Sequence, residues 1–152
     1  MTLRNGIALT CIAIPAIVEI IVGVIYFSAS EVMPYHKEVL GVAWSDLQPG
    51  VRTMLVGFMN AYGSTHFAVG VALAILILIP LRRGHSWARW AILAVGLPVL
   101  SATVYLAARL AFATGAQTPW RGSLVLLGMF LVGVALADSK QVLSPAAEHD
   151  GH

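Results

Sequence analysis

GIALTCIAIPAIVEIIVGVIYF, residues 6–27, decides the fold class. One charged side chain, Glu19, interrupts an otherwise apolar run. A bilayer core takes about 20 helical residues to cross. Backbone groups in hydrocarbon must be bonded within the segment, so such a run adopts a helix. Three further stretches repeat the pattern: residues 51–79, closed by Pro80; residues 87–113, with Pro98 inside; and residues 120–137, the shortest. Barrel strands would be about ten residues long and alternate in polarity, and none of these stretches alternates. The expectation is an all-α chain, a four-transmembrane-helix bundle with a short interfacial outer loop. Residues 1–137 are expected to form one domain with helices at about 6–27, 48–79, 87–113 and 120–137, and residues 138–152 are expected to form a flexible polar tail.

The composition agrees. The chain has 152 residues, 59% hydrophobic and 11% charged, with a mean hydropathy of +0.84. A soluble domain carries roughly 25% charged residues, so lipid must be the solvent for much of this one. The net charge of +2 is small, and the basic residues lie at helix ends, which speaks for topology signals and against a nucleic-acid partner. The single cysteine, Cys11, cannot supply a disulfide, a CxxC redox pair or a zinc site. The first apolar run exceeds the 7–15 residues of a signal-peptide core and contains Glu19, so it is expected to stay as a helix.

Trp44, Trp87, Trp90 and Trp120 stand at the ends of the apolar stretches, where indole rings favour the headgroup layer. Arg82, Arg83 and Arg89 crowd one short link, with Arg4 and Lys140 on the same side. Lys37, Arg52, Arg109 and Arg121 fall opposite, but there the loop of residues 28–50 also holds Glu31, Glu38 and Asp46. The densest basic cluster places both termini in the cytoplasm. Within the loop, residues 35–40 suit a short interfacial helix. Ser45 or Asp46 suits an N-cap for the second long helix, with Pro49 in its first turn.

Tyr35-His36, Gly41-Val42, Trp44, Leu47 and Pro49-Gly50 form one pattern; Pro80-Leu81-Arg82-Arg83-Gly84 and Trp87-Ala88-Arg89-Trp90-Ala91 continue it. Over residues 35–90 the chain resembles a set of small, uncharacterised bacterial four-helix membrane proteins. The resemblance implies four helices in a bacterial inner membrane and no activity.

Glu19 is the most informative residue. An ionised carboxylate at mid-bilayer costs at least about 2.5–3.5 kcal/mol, and intramembrane ionisable groups are functional candidates by default. Depth, counted at 1.5 Å per residue, suggests its partners. Glu19 lies about 12 Å from the end of its helix at Phe27, Asn60 about 15 Å from Gly50, and Tyr105 and Arg109 about 12 and 6 Å from Ala113. Asn60, Tyr105 and Arg109 are therefore expected around Glu19, with His66 deeper. Haem ligation usually takes a pair of axial ligands at one level, and a metal site about three converging ligands. Glu19 and His66 fall short of either, so no metal and no cofactor is expected. Gly57, Asn60, Ala61, Ser64 and Ala68 form a small-residue helix face suited to close packing.

No nucleophile with a base, no phosphate loop and no metal-spacing motif appears. The leading expectation is an accessory or assembly component of a membrane complex, with Tyr35, His36 and Trp44 as a surface for a membrane-protein partner or a second copy. The alternative is a small proton-coupled transporter using Glu19, whose layout of four helices and one carboxylate resembles the small multidrug exporters. The third is an enzyme on a lipid or quinone substrate using Glu19, His66 and Tyr105.

Overall fold

The computed structural model describes residues 3–137. Helix α1 spans Leu3–Phe27. Helix α2, Pro34–Leu40, is short; proline opens it, and Gly41 closes it at φ 65°, a left-handed conformation that suits glycine. A 3-10 turn, Trp44–Asp46, leads into α3, Pro49–Leu76. Helix α4 is Ala88–Thr114 and α5 is Trp120–Leu136. The short helix expected at residues 35–40 is present as α2. The expected Ser45 or Asp46 cap is not formed. The 3-10 turn and an extended Leu47 intervene, Gln48 takes the N-cap position, and Ser45 Oγ donates to Asp46 Oδ1 at 3.0 Å.

Pro80 does not stop the second apolar stretch where the sequence suggests. The chain winds on through Ile77–Leu81 as a wider π turn. Arg82 N–H reaches Ile77 O at 3.3 Å, and His85 N–H reaches Pro80 O at 3.0 Å, each five residues back. Proline has no N–H and crowds the carbonyl four residues before it, and the wider turn absorbs both defects.

The helices run up, down, up and down in a ring of order α1, α3, α4, α5. Helix α1 packs most extensively on α3, and the α3–α4 seam is the lightest. Small residues set the closest approach. A Cβ on Gly70 would lie 2.7 Å from the Ile20 backbone nitrogen and 2.9 Å from Ala16 O, so only glycine permits this spacing. The face that packs is Gly63, His66 and Gly70; the expected small-residue face turns outward instead. Ala61, Ser64 and Ala68 are exposed, and a Cβ on Gly57 would meet nothing within 4 Å.

The apolar core gathers at the end holding the start of α1 and the end of α5, with Ile12, Leu73, Ile92 and Phe130 fully buried. Elsewhere large apolar side chains lie bare, among them Phe58, Phe112 and Val125 at 66, 78 and 62% exposure. Exposed apolar surface on every long helix calls for hydrocarbon as solvent. Leu3–Phe27, Pro49–Leu81 and Ala88–Thr114 are long and apolar enough to cross a membrane, the mark of a multi-pass membrane protein; α5 is apolar and shorter, at 17 residues. The tail at residues 138–152, including Lys140, lies outside the described residues.

Candidate functional site

Glu19 and His66 meet inside the α1–α3 contact. They lie midway between the glycine approaches at Gly23–Phe67 and Gly70–Ile20, so both side chains are sealed: Glu19 is 4% and His66 1% exposed. Glu19 Oε2 stands 2.5 Å from His66 Nδ1, a hydrogen bond that is also an ion pair when the imidazole is protonated. The other ring nitrogen, Nε2, is buried and has no hydrogen-bond partner among the described residues.

An aromatic column leads from this pair towards α2. The Tyr62 ring, one turn before His66, lies 4.1 Å from the imidazole and 5.6 Å from Tyr26. Thr103 donates its hydroxyl proton to Val99 O at 2.9 Å, so Tyr62 donates across the α3–α4 seam to Thr103 Oγ1 at 3.0 Å. Tyr26 is hydrogen-bonded to Tyr35 on α2 through their hydroxyls. The His36 ring packs edge-on to Tyr26 at 6.1 Å and against Tyr35 at 4.1 Å. Burial, and then the hydrogen bond to Tyr26, pushes the Tyr35 phenol well above its usual range. Burial holds the His36 imidazole below its usual range. A backbone bond fixes the far edge of α2, where Glu38 Oε2 accepts Gln117 N–H at 3.0 Å.

The structure redistributes the expected cluster. Glu19 does face the interior, but its partner is His66 and not Asn60, Tyr105 or Arg109. Asn60 caps α1: its Nδ2 donates to Tyr26 O, Phe27 O and Ala29 O at 3.0, 2.7 and 3.1 Å, satisfying carbonyls that a helix end leaves free. Tyr105 is 60% exposed, and Arg109 Nη1 donates to its hydroxyl at 3.2 Å on the outward face of α4. Tyr35 and His36 are half-buried against Tyr26, and Trp44 is half-buried in its 3-10 turn.

Tyr62, Tyr26 and Thr103 were missed from the sequence. Helix periodicity could have found the first two, since Tyr62 stands four residues from His66 and Tyr26 seven from Glu19, on the same faces. Nothing in the sequence marks Thr103. Among the described residues no three His, Cys, Asp or Glu side chains gather as metal ligands. No protein-family model, curated protein or solved structure matches the chain.

Proposed function

We propose that the chain is a four-span protein of the bacterial inner membrane, with both termini cytoplasmic, that works by exchanging a proton at the Glu19–His66 pair, as a small proton-coupled transporter. The buried pair carries this reading. Replacing a buried ion pair by apolar residues of similar volume is often neutral or stabilising, so packing α1 on α3 does not call for these residues. A proton-exchanging site does call for them, because two titratable groups in contact can hold and release a proton inside hydrocarbon. The lightest seam, α3–α4, lies beside the pair and offers the element that opens.

Infrared difference spectra of the protein in lipid, taken across a pH titration, test the reading. A carboxyl stretch that appears and disappears with pH and vanishes in Glu19→Gln is expected. A carboxyl signal silent at every pH at which the bundle stays folded would overturn it. Reporter fusions after Ala137 and within residues 28–50 test the orientation, which the basic link at Arg82 and Arg83 supports.

A second reading, an accessory component of a membrane complex, draws on α4. Its outward face carries Tyr105, Arg109 and Phe112, and an arginine on an exposed membrane helix invites a partner carboxylate or phosphate. Co-purification that survives in wild type and is lost in Arg109→Leu would favour it.

A further inference from the structure

The Glu19–His66 pair has a definite proton inventory, and that inventory selects a ligand. A buried pair with no net charge is strongly favoured over one with an uncompensated charge. Electroneutrality requires two protons on the pair. One occupies the hydrogen bond between Oε2 and Nδ1, whichever atom holds it. With the shared proton on Oε2 the neutral ring is the Nε2–H tautomer, and with it on Nδ1 the ring is an imidazolium that again carries Nε2–H, so the second proton sits on Nε2. His66 thus presents an N–H donor that is buried, fixed in direction by Glu19, and without an acceptor among the described residues. A buried donor left unmade costs about 1–3 kcal/mol, which an arriving acceptor returns. A metal cation is the wrong ligand, because it would have to displace that proton.

We infer that His66 Nε2–H is a binding site for an uncharged, lipid-soluble carbonyl compound, such as a quinone, that enters from the bilayer through the α3–α4 seam. Three features point to this class. The donor asks for an oxygen acceptor. The burial, 1% for His66 and 4% for Glu19, asks for a ligand without charge. The Tyr62 ring, 4.1 Å from the imidazole with Tyr26 beyond it, supplies a flat wall for a planar ring. Tyr62 Oη and Thr103 Oγ1 have spent their protons on each other and on Val99 O, so Nε2–H is the donor left to the ligand. The inference rests on the pair being the active element. It adds a coupling: loss of the Nε2 proton turns the donor into a lone pair that repels a carbonyl, so ligand and proton bind together. The titratable groups facing the pair are Tyr62 on α3 and Tyr26 on α1. Tyr105 and Arg109 of α4 are exposed, and Arg121 in the first turn of α5 is that helix's sole ionisable side chain.

The experiment uses the full chain in nanodiscs of ether-linked lipid, which has no ester carbonyls, with nitrogen-labelled histidine read by solid-state NMR. The probe is a decyl-substituted benzoquinone. Without probe, a protonated His66 Nε2 is expected. With probe, that resonance should shift saturably at one probe per chain, and His66→Phe should bind roughly 10- to 100-fold more weakly, as for a lost hydrogen bond from a charged group. A shift in ester-lipid discs without quinone, absent in ether lipid, would support the carbonyl site and assign its source to bilayer lipid. An unprotonated Nε2 would overturn the proton inventory and the site with it. A protonated Nε2 that responds to neither carbonyl source would overturn the site alone, leaving proton exchange by Glu19 to the infrared titration. These measurements on wild type stand even where His66→Phe fails to fold.

Discussion

Substituting Gly70 by alanine tests how closely α1 and α3 must approach for the pair to exist. The new Cβ would lie 2.7 Å from the Ile20 backbone nitrogen and 2.9 Å from Ala16 O. Both are backbone atoms, so no side-chain rotation relieves the clash. Ordinary contact begins near 3.4 Å, so α1 must retreat by about 0.7 Å. Ile20 follows Glu19 in the chain, and the same retreat opens the 2.5 Å Oε2–Nδ1 contact to about 3.2 Å, the long edge of a hydrogen bond. Overpacking of this kind costs about 1–3 kcal/mol, and the helix propensity of alanine returns up to about 1 kcal/mol. The expected result is a net loss of roughly 1–2 kcal/mol, together with a displaced carboxyl stretch for Glu19. Gly57 is the control: a Cβ there meets nothing within 4 Å, so Gly57→Ala should gain up to about 1 kcal/mol. Unfolding in mixed micelles of rising dodecyl sulfate content, followed by tryptophan fluorescence, measures both. A Gly70→Ala protein as stable as Gly57→Ala would refute the claim that these backbones touch.

Glu19→Leu leaves both imidazole nitrogens of His66 bare and should cost about 1–3 kcal/mol in the same assay. Adding His66→Leu should recover most of that loss, whereas simple additivity of the two single losses would deny the coupling. Asn60→Leu strips the amide from the carbonyls of Tyr26, Phe27 and Ala29 and should cost about 1–2 kcal/mol. Hydrogen exchange should quicken at the Ser28 and Ala29 amides, and unchanged exchange there would count against the cap. Burial lowers the His36 imidazole below its usual 6.5, so its contribution to docking α2 is complete above that pH and is lost as pH falls through the lower folded value. Exchange protection of α2 should therefore drop on acidification and become pH-independent in His36→Phe; equal pH dependence in both proteins would clear His36 of the role.

The long helices were legible because hydrocarbon admits little else: an apolar run of sufficient length must be helical, and Pro49 marks a helix start as its fixed backbone angle requires. The interior placement of Glu19 was legible from the cost of exposing a charge to lipid. Its partner was not, because depth was counted from assumed helix ends. Asn60 sits level with Phe27, so the first eleven residues of α3, from Pro49, stand beyond the end of α1. Sliding α3 outward by that amount brings His66, not Asn60, to the level of Glu19. Short linkers fix such a register, but residues 28–48 form a long one with its own helix and 3-10 turn. The outward turn of Gly57, Ala61, Ser64 and Ala68 has a similar origin: small residues line two faces of α3, and composition alone does not say which one meets α1.

That overhang has a consequence for the surrounding lipid. With its wide turn, α3 runs on to 33 residues, Pro49–Leu81, about 50 Å at 1.5 Å per residue. Across the ring, α5 has 17 residues, about 25 Å. A typical hydrocarbon layer is about 30 Å thick. One flank of the bundle therefore exceeds the local bilayer and the opposite flank falls short of it, so tilt relieves one mismatch only by worsening the other. Lipid beside α3 therefore meets a far longer apolar helix than lipid beside α5 does.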